Sequence, residues 1–446
     1  MGELNLTRRA FTKLAAVTGA AVACTAAAPN AALAEDAGAA ARGDDVKRVR
    51  TCCRGCGKME CGVTVIVQNG RAIRVEGDEG AFQSMGNCCT KSQSSIQAAY
   101  HPDRLHYPMK RTNPKGEEPG WQRISWDEAT DLAGEQIATA VEKYGPYSYW
   151  SARGGGGAYI EWETWGLDYT FGGCNSLASG ACQCAMPRDF VSTTSVGFNC
   201  RVDMDNVDRW VGVVDKAELD GKRRDDTERV FVLWGSQPHS SKAAHGGHGL
   251  VDARSNLGVK SVVVDPYLTA EAAKADVWLP VRPGSDCALM LSWIRYIIDQ
   301  KAYDEPFVKY WTNLPFLINP DTRLAYRAEE VWPDYVNPAA DPDDVYDTPA
   351  YVCFDARTNT IQPFPFTAPG DSPVDPVVFA TATVNGKEAK TAGQIYWEEA
   401  EPWTLEAAAE TCWLKPEKIQ EAIELYINAD FGGISNGVFS DHQENS

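Results

Sequence analysis

Between residues 61 and 77 apolar side chains recur on alternate positions. Val63, Val65 and Val67 are interleaved with Thr64 and Ile66, Asn69-Gly70 interrupts the run, and Ile73 and Val75 carry its return. This pattern predicts a β-hairpin with a type I′ turn, since Asn-Gly tolerates the two positive φ angles that turn needs. From residue 125 the period becomes helical. Ser125 and Glu128 form a capping box, Ala129, Leu132, Ala133, Ile137, Ala140 and Val141 share one face, and Gly145-Pro146 stops the helix. Residues 230–234 and, after Ser261, 262–264 are continuous apolar runs ending at Gly235 and at Asp265-Pro266. Such runs predict buried parallel strands, and with the helical stretches between them they give an α/β fold of the dinucleotide-binding kind, although no GxGxxG is present. Residues 333–399 are rich in Pro, Asp and Thr with short β-like pieces, which predicts an inserted loop region on the rim, guarding substrate entry. Helical stretches led by Trp403 and Lys415, and a strand-like piece at 433–437, follow.

The 446 residues, 44% of them apolar, suffice for about two to four domains. With 61 acidic against 42 basic residues and a net charge of -19, nucleic acid and anionic membrane surfaces are excluded as main partners. Thr7-Arg8-Arg9-Ala10-Phe11-Thr12-Lys13 has the twin-arginine pattern, and an uncharged Ala-rich stretch ends in Ala32-Leu33-Ala34. Residues 1–34 therefore read as a twin-arginine signal peptide cleaved after Ala34, too weakly hydrophobic for a membrane anchor. A lipid-anchored form at Cys24 is the lesser alternative, because Ala21 departs from the lipoprotein pattern. The twin-arginine route carries proteins folded around their cofactors, so a periplasmic or extracytoplasmic cofactor protein is expected.

Fourteen cysteines in an exported chain would ordinarily suggest disulfides. Their clustering argues otherwise: Cys53, Cys56 and Cys61 have the spacing C-x2-C-x4-C, and Cys89 follows the hairpin. Three close thiolates and one distant one suit a [4Fe–4S] cube, whereas zinc prefers two pairs. Cys52 and Cys88, adjacent to Cys53 and Cys89, remain alternative ligands. His239, His245 and His248 include a ligand-like spacing, but their Gly-rich setting without neighbouring acids or thiols favours a loop or pocket lining.

Cys53, Cys56, Cys61 and Cys89-Thr90-Lys91 resemble the N-terminal cluster motif of the dimethyl-sulfoxide-reductase family of molybdopterin enzymes. So does the continuation through Tyr100-His101-Pro102-Asp103-Arg104-Leu105, Tyr107-Pro108-Met109-Lys110-Arg111 and the segment 121–129. The resemblance implies cluster ligation by Cys53, Cys56, Cys61 and Cys89, with Lys91 as the electron relay between cluster and pterin. The x4 spacing replaces the usual x3, which implies a bulge around Met59-Glu60. It further implies a molybdenum-ligating thiolate at Cys184, between Asn175 and Gly197, with Cys182 as the alternative. Contacts to a pterin guanine dinucleotide are implied at Trp234, Gly235, Ser236, Gln237, Pro238, Asp265, Pro266, Thr269, Arg282, Gly284 and Asp286. Gln237, Tyr267 and Ser285 replace the family's usual Asn, Arg and Thr.

The implied organisation is a signal peptide (1–34), a small [4Fe–4S] β domain (35–110), an incomplete α/β domain (111–174 with 400–446), an α/β pterin-dinucleotide domain (175–332) and an inserted region (333–399). The match to a mid-protein segment near residue 446 implies that the family's C-terminal part is missing, as in a truncated or split product. The implied function is that of a molybdopterin oxidoreductase catalytic subunit. Electrons would pass through the [4Fe–4S] cluster to a molybdenum bis(molybdopterin guanine dinucleotide) centre for reduction, oxygen-atom transfer or dehydroxylation of a small molecule, in the style of catechol dehydroxylases. The implied partners are an iron–sulfur electron-transfer subunit together with a membrane anchor subunit. The competing readings are a non-catalytic iron–sulfur or partner-binding fragment, and a cytoplasmic dehydrogenase-complex subunit, which the export signal disfavours.

Overall fold

The computed structural model describes residues 45–53, 55, 61–81, 84, 86–153, 166, 168–170, 176–178, 228–241, 247–338, 349–365 and 369–436. Two compact units divide the chain, 1–179 and 180–446.

The first unit opens with an antiparallel meander of β1 (Val46–Cys53), β2 (Cys61–Gln68) and β3 (Arg71–Gly77). The turn between β2 and β3 has φ of 51° at Asn69 and 77° at Gly70, as the Asn-Gly pair demands. As the central strand, β2 is covered on both faces, burying Val63 on one and Thr64 and Ile66 on the other. Two-residue strands β4 (Met109–Lys110) and β5 (Gln122–Arg123) pair before the Trp126–Tyr144 helix. Ser125 Oγ accepts from Glu128 N–H at 3.1 Å, closing half of the capping box. The Glu128 carboxylate instead meets Lys110 Nζ at 3.4 Å, an attraction that draws it away from the reciprocal position. Ala129, Leu132, Ile137, Ala140 and Val141 are half-buried along this helix, while Ala133 is exposed. The unit ends with β6 (Ser151–Arg153) parallel to β7 (Ser176–Ala178).

The second unit is built on a parallel sheet. It contains β8 (Arg229–Trp234), β9 (Lys260–Val264) and β10 (Val277–Leu279), with the His248–Leu257 helix crossing between β8 and β9. All six residues of β8 are buried, which explains the unbroken apolar run of Val230–Trp234 behind Arg229. After the Asp286–Asp299 helix come β11 (Leu317–Ile318), β12 (Tyr351–Asp355), β13 (Thr360–Phe364), β14 (Thr381–Val384) and β15 (Lys387–Thr391). The Leu405–Cys412 and Pro416–Ile427 helices then lead into β16 (Phe431–Asn436). The strand order is β10-β9-β8-β16. One face packs Val230, Val232 and Val262 against Leu289, Trp293, Ala408, Ile419 and Ile423 of the flanking helices. The other packs Phe231, Leu233 and Val263 against Leu250 and Ala253. This is the expected α/β/α arrangement.

Two elements of the expected organisation differ. Residues 400–436, expected with 111–174, lie in the second unit: β16 pairs with β8 in parallel from Phe431↔Arg229 to Asn436↔Trp234, and its preceding helices share the core of that sheet. The distribution of apolar positions in these helices is compatible with either partner, and only the pairing decides. The stretch read as a rim loop is a β layer with its own cores. β11, β15 and β14 form one sheet, β12 and β13 a hairpin, and Leu317, Val352 and Val384 pack in one cluster beside Phe316, Cys353 and Phe364 in another. The density of Pro and Asp masked short strands whose partners are distant in sequence.

One of those acids explains itself here. Asp355 is fully buried, and its carboxylate accepts from Asp375 N–H (2.7 Å), Thr358 Oγ1 (2.8 Å), Thr358 N–H (3.1 Å) and Arg357 N–H (3.3 Å). Burial pushes its pKa up, but these donors outweigh burial and hold it below the ordinary carboxylate value. A depressed folded-state pKa stabilises fully above the unfolded value of about 3.9, and that stability is lost as pH falls through the folded pKa. Asp355→Ala, which orphans the donors, is expected to destabilise the second unit by about 2–3 kcal/mol at neutral pH. Urea unfolding at pH 7 and pH 3 checks it, and the difference from wild type should shrink at the lower pH.

Candidate functional sites: a cysteine cluster and a sheet edge

In the first unit Cys53 and Cys61 are direct partners across the β1–β2 ladder. Directly opposed residues project to the same face, and successive residues to opposite faces. Cys53 and Cys61 therefore share a face, and the exposed Cys52, paired with Gly62, points to the other. Gly55 N–H donates to Cys53 Sγ at 3.3 Å. A Cβ at Gly55 would stand 3.5 Å from Cys53 Sγ and 3.6 Å from the Lys91 carbonyl oxygen, so Gly55 lies against the backbone of Lys91.

Cys88 and Cys89 return to this region by a close backbone approach. A Cβ at Gly77, the last residue of β3, would overlap the carbonyl group of Gly86, so only glycine lets the two segments meet there. Burial pushes the Cys88 thiol up, Ser92 offsets part of that, and the nearby Cys89 and Cys53 thiols add to it. Cys88 Sγ lies 3.9 Å from the Cys89 carbonyl oxygen and 4.0 Å from that of Val75, while Cys89 opens the Thr90–Gln93 helix that bears Lys91. Cys52, Cys53, Cys88 and Cys89 are free thiols, and Cys61 is buried. The Cys53–Cys61 pair and the returning Cys88-Cys89 place soft donors at one end of the meander, the donor type an iron–sulfur cluster takes. Among the described residues no three His, Cys, Asp or Glu side chains converge as a metal site. Cys56 lies outside the described residues, as do Cys182, Cys184 and the segment 1–34.

In the second unit every dinucleotide candidate falls on the carboxyl edge of the parallel sheet, where ligands of such folds bind. Gly235 leaves β8 and donates to the Val264 carbonyl at 2.8 Å; Asp265 leaves β9 and donates its N–H to Leu279 at 3.2 Å. The candidates divide into a framework and an exposed set. Trp234 and Asp286 are buried, the indole N–H donating to Asp286 Oδ1 at 2.7 Å. Asp265 is buried too, accepting from Tyr267 N–H at 2.8 Å and from Gln237 Nε2 at 3.3 Å. Pro238 is buried, and Thr269 Oγ1 accepts from Ala272 N–H at 3.0 Å. Gly235, Pro266, Arg282 and Gly284 are exposed, and Ser236 is half-buried. Gly235 and Gly284 have φ of 58° and 83°, and a Cβ on either would meet nothing within 4 Å. Open backbone turns beside an arginine suit a phosphate-bearing ligand, so these residues fit a pterin dinucleotide.

Sequence reasoning missed two residues here. Glu271, 4% exposed, accepts from His239 N–H at 2.8 Å and lies 2.9 Å from His239 Nδ1. The histidine thus has an acidic neighbour that sequence proximity did not suggest, but no third ligand joins them among the described residues. Trp413 is the second, held beside Arg282 at the end of a helix with no motif around it. A groove of about 660 Å³ lined by Glu228, Asp276, Glu417, Glu421 and Glu424 opens at the opposite, amino-terminal edge of the sheet, away from all these candidates. No described helix is long and apolar enough to cross a membrane.

Among known protein families, residues 46–101 match the one described as molybdopterin oxidoreductase Fe4S4 domain, and residues 104–396 match molybdopterin oxidoreductase. A dopamine dehydroxylase of Eggerthella lenta is 47% identical over 321 residues, covering 72% of this chain and 30% of that protein. A putative dimethyl sulfoxide reductase catalytic subunit of Halobacterium salinarum is 28% identical over 448 residues, covering 97% of this chain and 50% of that protein. Among solved structures, acetylene hydratase from Pelobacter acetylenicus shares the fold with a TM-score of 0.57 at 20% identity, covering 89% of this chain and 41% of that one. The chain thus spans half or less of the length of these relatives.

Proposed function

Because this chain belongs to the molybdopterin oxidoreductase family and carries its Fe4S4 domain, with a [4Fe–4S] cluster and molybdopterin as the matching cofactors, we propose the following assignment of residues and reaction. Cys53, Cys56, Cys61 and Cys89 hold the cluster, and Cys184 is the thiolate ligand of molybdenum. The carboxyl edge of the β8–β10 sheet holds a pterin guanine dinucleotide, with Arg282 and the turns at Gly235 and Gly284 facing the ligand and Trp234, Asp265 and Asp286 keeping those turns in place. When bound, the cluster supplies single electrons and the molybdenum supplies oxygen-atom transfer or hydroxyl removal. Lys91, whose backbone abuts Gly55, is the relay between the two cofactors.

The observation that carries this reading is the Cys53–Cys61 pair on one face of the ladder, with Cys88-Cys89 returned to it through the Gly77–Gly86 approach. The Cys89 assignment follows from the Thr90-Lys91 behind it. Similarity to a dopamine dehydroxylase favours reductive dehydroxylation of a small catechol as the reaction of the whole protein. Several relatives are by name subunits, among them a thiosulfate reductase molybdopterin-containing subunit, which favours an iron–sulfur electron-transfer partner and a membrane anchor subunit. The twin-arginine pattern at residues 7–13 favours export to the periplasmic or extracytoplasmic face.

Metal analysis of protein purified without oxygen tests the assignment. About four irons per chain together with about one molybdenum are expected. Iron without molybdenum would move the reading to an electron-transfer or partner-binding chain, and absence of both would remove it.

A further inference from the structure

The Leu405–Cys412 helix ends on Trp413, whose φ of 60° and ψ of 33° are left-handed. Trp413 and Leu414 both return their N–H groups to the Ala409 carbonyl, Leu414 at 2.9 Å. This closure ordinarily employs glycine, because a side chain crowds the backbone there. The indole is not placed there for burial, since Trp413 is 71% exposed. It faces the Arg282 guanidinium instead, 4.9 Å from the ring centroid. The pair is fastened to the cofactor edge: Arg282 N–H donates to the Cys412 carbonyl at 3.0 Å, and Cys412 Sγ donates to the Ser285 carbonyl at 3.4 Å. The ring therefore stands beside the 282–286 loop that leaves β10. Tyr267 and Leu268, where the chain leaves β9, are 75% and 64% exposed on that edge.

A flat ring, a planar cation and open glycine turns together recognise a planar heterocycle that carries phosphate. We propose that Trp413 is a base-stacking residue, gripping with Arg282 the purine or pterin ring of a nucleotide seated at the carboxyl edge. The proposal rests on the reading of that edge as the dinucleotide site and deepens it by assigning a residue to the base. It accounts for both otherwise unexplained features of Trp413, the backbone conformation and the exposure.

Calorimetric titration of the full chain with GDP, and with ribose 5-phosphate as a ligand lacking the base, tests it. Trp413→Gly suits the left-handed backbone, so its melting temperature should equal or exceed that of wild type. The same variant should weaken GDP binding about tenfold or more, while Trp413→Phe, which keeps a ring, should stay within about threefold. Ribose 5-phosphate binding should be the same in all three proteins. In wild type the guanine H8 proton should shift upfield on binding, and Trp413→Gly should lose that shift. Equal GDP affinity and equal H8 shift in wild type and Trp413→Gly would overturn the stacking role while leaving the edge a nucleotide site. Failure of wild type to bind GDP would overturn both.

Discussion

Alanine in place of Cys53 is expected to reduce the iron content of anaerobically prepared protein from about four atoms to less than about one, while alanine at Cys52 leaves it unchanged. The two cysteines are adjacent in sequence and chemically identical, so the contrast isolates geometry. Cys53 stands opposite Cys61 and shares its face, whereas Cys52 stands opposite Gly62 and is exposed on the other. A cube needs thiolates converging from one side, and a strand residue cannot change faces without a one-residue slip of the whole β1–β2 register. That slip would break the pairing from Val46↔Gln68 onward. Iron content and the near-410 nm absorption are the measurements. Loss of iron from the Cys52 variant with retention in the Cys53 variant would reverse the ligand assignment.

The second large effect is expected at a residue with no side chain. Gly77→Ala should destabilise the first unit by about 2–4 kcal/mol and lower iron incorporation below about half of wild type. A methyl there meets the Gly86 carbonyl and the Asn87 backbone, which cannot swing aside as a flexible side chain could. Relief requires the segment at 86–87 to move off β3, and Cys88-Cys89 move with it. Gly70→Ala is the control. Its φ is 77° with nothing within 4 Å of a new Cβ, so it should lower stability by about 1–2 kcal/mol through backbone strain alone and keep the cluster. Thermal unfolding alongside iron analysis separates the two. Equal iron retention in both glycine variants would show that the Gly77–Gly86 approach does not position the fourth ligand.

Trp234 and Asp286 show how residues of one motif divide between framework and surface. Both fall on the carboxyl edge, as the alternation of apolar runs and helices predicts. Yet the indole N–H is taken by the Asp286 carboxylate within the core, and the exposed positions are Gly235, Pro266, Arg282 and Gly284. A motif records which residues occur together. It does not record which of them face outward, because that depends on what packs behind each one.

What could be determined from the sequence alone was whatever a short stretch of chain decides by itself. The I′ turn follows from Asn69-Gly70, the start of the Trp126–Tyr144 helix from Ser125, the buried strand β8 from the apolar run 230–234, and the soft-metal chemistry from the cysteine spacing. Each rests on backbone sterics, local hydrogen bonding or donor chemistry within a few residues. Only the tertiary structure decided that residues 431–436 join β8 across some two hundred positions, that 317–391 close into a β layer, that Glu271 meets His239, and that Trp413 stands over Arg282. Those contacts join segments whose individual patterns suit several partners, and the choice among them is made by the burial of shared apolar surface, a property of the assembled chain.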